Sequence, residues 1–399
     1  MDFAFTREEL DFREQVEQFV KHELPPDWDE RVVFWPGAYG TIPTFEQEFQ
    51  SESKKFKRKL GEKGWNRLSW PEEYGGEGSM MKAAIAGDVL SYYRAPAGGV
   101  ATSIAAPTLI LVGSEELKEE FLPKIAEGEA EFWLAYSEPN AGSDLASLET
   151  KAVADGDDFI VNGQKIWSSG AHLSEYAWAL VKTDPDARPH KSATLLIIPN
   201  DSPGVTIRPI INICGNHSFN EVFFDDVRVS RKYIVGELNQ GFYNVMLALQ
   251  FERLLIGVGS FRRVLDDLVI YVKETTRKGR PLSENPQVRK KLAAIAIEIE
   301  TFENLYWQTV CMMELGKVPE LEASALKLVF TELSVKLANA AVDILGPYGL
   351  LDKGSRWAPF GGRVGLGYLD SISGPIGAGT SEIQKSILAT RGLGLPRAR

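Results

Sequence analysis

The apolar period of this chain changes twice, and that change limits the folds open to it more than any single motif does. From the N-terminus to about Ile125, and again from Gly241 onward, apolar residues recur mostly at three- and four-residue spacing. Between about Phe132 and Gly236 they fall in short alternating runs separated by turn residues. Three to four is the period of a helix with one buried face, and two is the period of a strand. The order is therefore α, β, α, an α+β chain with expected segments 1–130, 131–240 and 241–399.

Thr6-Arg7-Glu8-Glu9 spells a capping box, and Leu10, Val16, Phe19 and Val20 follow at helical spacing until Pro25 and Pro26. The stretch from Asp27 to about Pro43 is aromatic and turn-rich without a period. It reads as a long loop, packing on the surface or facing a substrate. In the middle segment, FIVNGQKIW carries Asn162-Gly163, a two-residue hairpin signal, and ATLLIIPNDSPG and NEVFFDDVRV read as strands. Beyond Gly241, YVKETTRK, the run from Val288 to Met313 and the run from Glu322 to Leu345 read as helices.

With 55 acidic against 44 basic residues the net charge is -11, which argues against a non-specific grip on nucleic acid or anionic lipid. Cys214 and Cys311 lie far apart and the four histidines do not cluster, so neither a metal site nor a disulfide framework is expected. There is no run of eighteen apolar residues, and the first residues open an amphipathic helix. The expectation is a soluble cytoplasmic protein with no membrane insertion.

Neither a Walker-type loop nor a Rossmann GxGxxG is present. Four features can carry chemistry. AYSEPNAGSDLAS, with Ser137, Gly142 and Ser143, can offer N–H and hydroxyl donors to a polar ligand or be a plain loop. Trp167-Ser168-Ser169-Gly170 sets a large ring beside two hydroxyls, which suits a flat heteroaromatic, although a tryptophan at a strand end also serves as core. GPIGAGTSEIQ, from Gly374 to Gln384, is a loop of small residues ahead of a helix N-terminus, where backbone N–H groups can approach a ligand closely. Glu252 falls on an apolar stripe of Phe242, Val245, Met246, Leu249, Ile256 and Gly259. A carboxylate on a buried face is a general base with a raised pKa or one half of an ion pair.

Taken together, these segments resemble the acyl-CoA dehydrogenase family along nearly the whole chain: EEYGGEG, FLPKIAEGE, SEPNAGSDLASLETKA, VNGQKIWSSGA, NEVFFDDVRV and GAGTSEIQKSIL occur in the family's order. The resemblance implies an N-terminal helical domain, a middle β-barrel-like domain and a C-terminal four-helix bundle, assembled as tetramers. It also implies FAD. Leu134, Tyr136, Ser137, Gly142 and Ser143 then line the flavin ring and diphosphate, Trp167 and Ser169 stand at the ring edge, and Thr380 and Gln384 add further contacts. Ser143 and Arg253 face the substrate. The implied reaction is α,β-dehydrogenation of an acyl-CoA, in which a carboxylate removes the α-proton as the β-hydrogen leaves as hydride to the flavin. The Ala378 N–H supports the thioester oxygen, and electron-transferring flavoprotein is the expected redox partner.

Most members of the family place the catalytic glutamate where this chain has Ala378. The isovaleryl-CoA branch carries it instead in a Glu-Arg pair matching Phe251-Glu252-Arg253, so Glu252 is the expected base and a branched or bulky acyl group the expected substrate. Two family flavin contacts from a neighbouring subunit are altered, at Thr275–Gly279 and Asp343–Pro347, where Arg277 or Lys278 can compensate only in part. These losses, with RGLGLPRAR near the C-terminus, resemble large subunits of heterotetrameric enzymes acting on steroid side-chain or dicarboxylic acyl-CoAs. A homotetramer and a heterotetramer with a sister chain both stay open. So do a base-independent flavoenzyme and a non-catalytic subunit on the same scaffold.

Overall fold

At the first helix the capping box forms as its sequence spells it: the Thr6 hydroxyl accepts from the Glu9 N–H at 3.2 Å, and the Glu9 carboxylate accepts from the Thr6 N–H at 2.6 Å. The computed structural model describes residues 4–32, 35–36, 47–252 and 257–396, without the side chains of residues 47–48, 249–252 and 320. Its helices are α1 (Arg7–Glu23), α2 (Trp28–Arg31), α3 (Gln47–Glu62), α4 (Met80–Tyr92), α5 (Ala106–Val112), α6 (Glu115–Ala126), α7 (Gly241–Glu252), α8 (Gly259–Glu274), α9 (Pro286–Glu314), α10 (Glu320–Leu345), α11 (Arg363–Ser371) and α12 (Ser381–Ile387). The strands are β1 (Phe132–Ala135), β2 (Lys151–Asp155), β3 (Asp158–Lys165), β4 (Tyr176–Lys182), β5 (Ala193–Pro199), β6 (Val205–Ile211), β7 (His217–Ser230), β8 (Thr276–Arg277) and β9 (Arg280–Pro281). The fold is α+β, helical at both ends and sheet in the middle. Two compact units emerge, one of Met1–Glu46, Ser79–Ala97 and Ile256–Arg399, the other of Gln47–Gly78 and Gly98–Leu255.

In the first unit α1 packs on α4, α4 on α8 and α9, α9 on α10, and α10 on α11 and α12. Val16, Val20, Ile85, Val89, Phe261, Leu268, Phe302 and Tyr306 are buried between them. Glycine lets the start of α8 close on α4, because a Cβ at Gly259 would lie 2.1 Å from the Asp88 carbonyl oxygen. Buried Asp88 takes Arg13 at 2.9 Å and Arg262 at 2.5 Å, and Arg262 also pairs with Glu303. Gly259→Ala is expected to lose about 1–3 kcal/mol in chemical denaturation, the usual cost of overpacking a tight contact. An unchanged midpoint would show that the helices slide apart freely.

Two sequence expectations are corrected in this unit. The basic run YVKETTRK is not all helix: α8 ends at Glu274, and β8 and β9 form a hairpin whose turn residues, Lys278 (φ 51°) and Gly279 (φ 75°), are both left-handed. Lysine and arginine favour helices, but adjacent Thr275 and Thr276 and the glycine favour a strand and turn. The stretch after Pro26 is not all loop either. It contains the turn α2, and Trp28 and Trp35 are buried, with the Trp35 indole N–H donating to the Ser334 carbonyl at 3.3 Å. This favours the packing reading for residues 28–32 and 35–36, while residues 33–34 and 37–46 lie outside the described residues.

The second unit is built on a seven-stranded mixed sheet in the order β1-β4-β2-β3-β7-β6, with β5 also paired to β4. At β4 and β5 both faces are covered, which explains their nearly continuous apolar sequences. Trp178, Leu180, Leu195 and Ile197 join Leu109, Leu117, Phe121 and Ile125 from α5 and α6 and Val245 and Ala248 from α7 in one cluster. Ala177, Ala179, Val181, Leu196 and Ile198 point the other way, onto Phe159, Val161, Val222 and Phe224. Asn162-Gly163 is not a hairpin turn. It lies inside β3 at a register shift against β7, where a Cβ at Gly163 would come within 2.5 Å of the Thr150 hydroxyl, and Asn162 bonds both the N–H and the carboxylate of Asp226. Glycine is required here by the close approach of β2, and the β2–β3 turn falls instead at Gly156-Asp157.

Candidate active site

Immediately after β1 the chain turns through Tyr136–Ala141, and a buried ion pair fixes that turn. The Glu138 carboxylate accepts from Lys165 at 2.7 Å and from the N–H groups of Glu149 and Thr150 at 2.5 and 3.0 Å. Lys165 Nζ also donates to the carbonyls of Tyr136 and Leu180, at 3.1 and 2.7 Å, so all three ammonium protons have acceptors. Burial works to raise the Glu138 pKa, but Lys165 and the hydrogen bonds from Thr150 and Glu149 outweigh it and hold the carboxyl below its ordinary range. Burial pushes the Lys165 ammonium down to about 8 against the pull of Glu138. Sequence reasoning missed this pair, although a lysine placed in a strand two and three residue pairs beyond buried Val161 and Phe159 was the available signal.

This strut brings the first expected flavin residues together. Leu134 is half-buried on β1, Tyr136 is buried, and the Ser137 carbonyl accepts from the Ile166 N–H at 2.9 Å. Gly142 and Ser143 are exposed, and a Cβ at Gly142 would meet nothing within 4 Å among the described residues. Trp167 is 59% exposed with φ 59°, a left-handed backbone at which a bulky side chain is strained, and its ring meets Phe219 edge-on at 6.2 Å. The core reading of Trp167 is thereby overturned. Ser169, two residues on, is exposed.

The glycine-rich loop belongs to the first unit. Buried Lys327 on α10 donates to the Gly374 carbonyl at 3.1 Å, tethering the loop's start. Ala378 is left-handed at φ 51°, followed by Gly379 at φ 88°. Thr380 caps α12, accepting from the Ile383 N–H at 3.2 Å. Gln384 is fully buried: its amide nitrogen donates to the Gly379 carbonyl at 3.3 Å, while its Oε1 has no hydrogen-bond partner among the described residues. A buried carbonyl oxygen without a donor is a place for a ligand N–H.

For the expected base, the structure places Glu252 as the last residue of α7, one helical turn beyond Ala248; its side chain and the whole of Arg253 lie outside the described residues. The stripe leading to it is Val245 and Ala248 with Asn244, whereas Met246 is exposed, and Gly259 belongs to α8 rather than to a continuation of α7. The two altered contact positions are engaged within the chain. The Arg277 guanidinium donates to the Leu345 carbonyl at the end of α10, and Asp343 pairs with Lys291.

Family models match in three consecutive segments: acyl-CoA dehydrogenase N-terminal domain over residues 6–129, middle domain over 134–227 and C-terminal domain over 239–393. The chain belongs to the acyl-CoA dehydrogenase family. Acyl-CoA dehydrogenase FadE26 of Mycobacterium tuberculosis is 31% identical with 100% of both chains covered. Acyl-CoA dehydrogenase IpdE1 of the same organism is 34% identical over 89% of this chain and 91% of that one. Of solved structures, the Tcur3481-Tcur3483 steroid ACAD superposes with a TM-score of 0.90 at 31% identity, covering 100% of both chains. The ChsE4-ChsE5 complex from Mycobacterium tuberculosis does so with a TM-score of 0.89 at 30% identity, also covering 100% of both.

As an acyl-CoA dehydrogenase the chain is an oxidoreductase of the CH–CH bond of acyl-CoA thioesters, in a family of FAD-dependent flavoproteins. Its residues fit that cofactor. In the second unit the exposed Trp167 ring, on its strained backbone, suits the edge of a flat heteroaromatic, and the open space over Gly142 suits a close-lying polar group; in the first unit the orphaned Gln384 Oε1 suits a ligand N–H. Among the described residues no helix is long and apolar enough to cross a membrane.

Proposed function

We propose that this acyl-CoA dehydrogenase converts a branched or bulky acyl-CoA, of steroid side-chain or dicarboxylic type, to the trans-2-enoyl-CoA, with Glu252 as the base. The observation carrying this reading is the exchange of carboxylates: position 378 holds alanine, and Glu252-Arg253 supplies a glutamate at the end of α7. Full-length similarity to a protein called a steroid ACAD supports the substrate class. Glu252 takes the α-proton, and as enolate charge grows on the thioester oxygen the Ala378 N–H donates to it, lowering the barrier where charge develops. Ser143 and Arg253 orient the acyl-CoA. FAD, when bound, supplies the acceptor for the β-hydrogen. Leu134, Tyr136, Ser137, Gly142, Ser143, Trp167, Ser169, Thr380 and Gln384 hold that cofactor, and electron-transferring flavoprotein takes the electrons onward.

The engagement of Arg277 with Leu345 and of Asp343 with Lys291 favours a heterotetramer, in which a sister chain provides the flavin contacts these positions lack. Two relatives of this chain carry paired names, Tcur3481-Tcur3483 and ChsE4-ChsE5. The test is anaerobic titration with steroid-type, branched and straight-chain acyl-CoAs, following flavin absorbance, together with FAD per chain after expression alone. Bleaching is expected with the bulky thioesters first, and FAD below one per chain without a sister. Full occupancy in a lone homotetramer would remove the sister chain. No bleaching by any thioester despite bound FAD would leave a non-catalytic subunit or an enzyme of another reaction.

A further inference from the structure

Behind the strained Trp167 turn lies a polar cluster with no role in the reaction as set out above. Fully buried Asn220 on β7 captures both main-chain groups of Ser168: the Ser168 N–H donates to the Asn220 carbonyl at 3.0 Å, and Asn220 Nδ2 donates to the Ser168 carbonyl at 2.9 Å. The same Nδ2 meets His172 Nδ1 at 3.0 Å, and Asn220 Oδ1 meets His217 Nε2 at 2.7 Å. The two imidazole rings stack on one another, centroids 3.6 Å apart and 14° from parallel. Two residues further on, the Gly170 N–H donates to the Ser218 carbonyl at 3.1 Å.

These contacts fix the protons. A carbonyl only accepts, so the group facing the Ser168 oxygen is the amide nitrogen, and the oxygen of Asn220 faces His217. His217 therefore carries its proton on Nε2, and the second amide hydrogen of Asn220 points at a bare His172 Nδ1. A proton on that nitrogen would set N–H against N–H. Burial and the neighbouring His217 push the His172 pKa down to about 4, so the acceptor persists at neutral pH.

We propose that Asn220, locked by the stacked pair His172 and His217, is a positioning residue that holds the Trp167–Ser169 turn in the conformation presenting the Trp167 ring and the Ser169 hydroxyl to the flavin. Trp167 and Gly170, both left-handed at φ 59° and 66°, flank the captured Ser168, so the clamp acts at the centre of the strained turn. It rests on the reading that Trp167 and Ser169 meet the flavin edge.

The purified holoenzyme tests this with four variants: Asn220→Ala, His172→Phe, His172→Gln and Trp167→Phe. Phenylalanine keeps the stack but removes the acceptor, whereas glutamine restores an acceptor. FAD affinity by fluorescence, the visible flavin spectrum and thermal melting are read for each. Asn220→Ala and His172→Phe are expected to weaken FAD binding about tenfold, the scale of one buried hydrogen bond, and to shift the flavin bands, with His172→Gln closer to the parent. If Trp167→Phe shifts the flavin bands while His172→Phe and Asn220→Ala lower only the melting temperature, the cluster is structural and the proposal is overturned. If Trp167→Phe leaves flavin spectrum and affinity unchanged, the flavin-edge reading has failed and the proposal falls with it. Should Asn220→Ala not fold, the two His172 variants decide.

Discussion

Replacing Glu252 by glutamine is expected to slow acyl-CoA-dependent flavin reduction by about 10²- to 10⁴-fold, the range a positioned general base contributes. The exchange removes proton affinity and keeps size, so FAD content and acyl-CoA binding stay close to those of the parent. Single-turnover absorbance on mixing with the thioester isolates the chemical step from reoxidation. A rate within threefold of the parent would move the base elsewhere, or make the reaction one that needs none. Ala378, which has no side-chain oxygen or nitrogen, cannot take over the proton, so the variant leaves no substitute in the glycine-rich loop except the exposed Glu382 on α12.

The second large effect falls on stability. Lys165→Met leaves the Glu138 carboxylate buried without its cation, and breaking a buried pair from one side costs about 3–5 kcal/mol. Removing both partners, as Lys165→Met with Glu138→Leu, is expected to recover part of that loss, because no buried charge is left behind. Urea denaturation compares the three proteins; a single variant as stable as the parent would mean that water reaches Glu138. The pair also sets an acid limit. Because the folded Glu138 pKa lies below its unfolded value, its contribution is complete above the unfolded pKa and disappears as pH falls through the folded one. Midpoints measured down a pH series should therefore drop less steeply on the acid side in the double variant than in the parent.

Most of the architecture could be read from periodicity because burial imposes it: β4 and β5 are apolar throughout since both sheet faces are covered, and the runs in α9 and α10 are long enough to be only helices. The failures were local. Asn162-Gly163 has the composition of a turn, yet its glycine serves the approach of β2, a contact made by residues a dozen positions away. Thr275–Gly279 carries helix-favouring cations over a hairpin backbone. At the site, the loops and Trp167 were visible as unusual small-residue and aromatic stretches, and the family resemblance assigned them roles. The Asn220 cluster was not visible, and the Glu138–Lys165 strut left as its trace only a lysine in line with the apolar residues of β3. Apart from His217, three residues from Asn220, their members are 11 to 52 positions from their partners, and only pairing across strands brings them together.

Ala378 also bears on how this site can change over generations. Its left-handed backbone, at φ 51°, acts as a filter on accepted substitutions: glycine, asparagine and aspartate tolerate that geometry, whereas other L-residues carry a penalty of about 1–2 kcal/mol. Alanine already carries that penalty, so a glutamate placed here would meet no further backbone cost, whereas glycine would relieve it. On backbone grounds alone, neutral drift at this position therefore runs toward glycine, and the backbone sets no barrier between alanine and a side chain that carries a carboxylate.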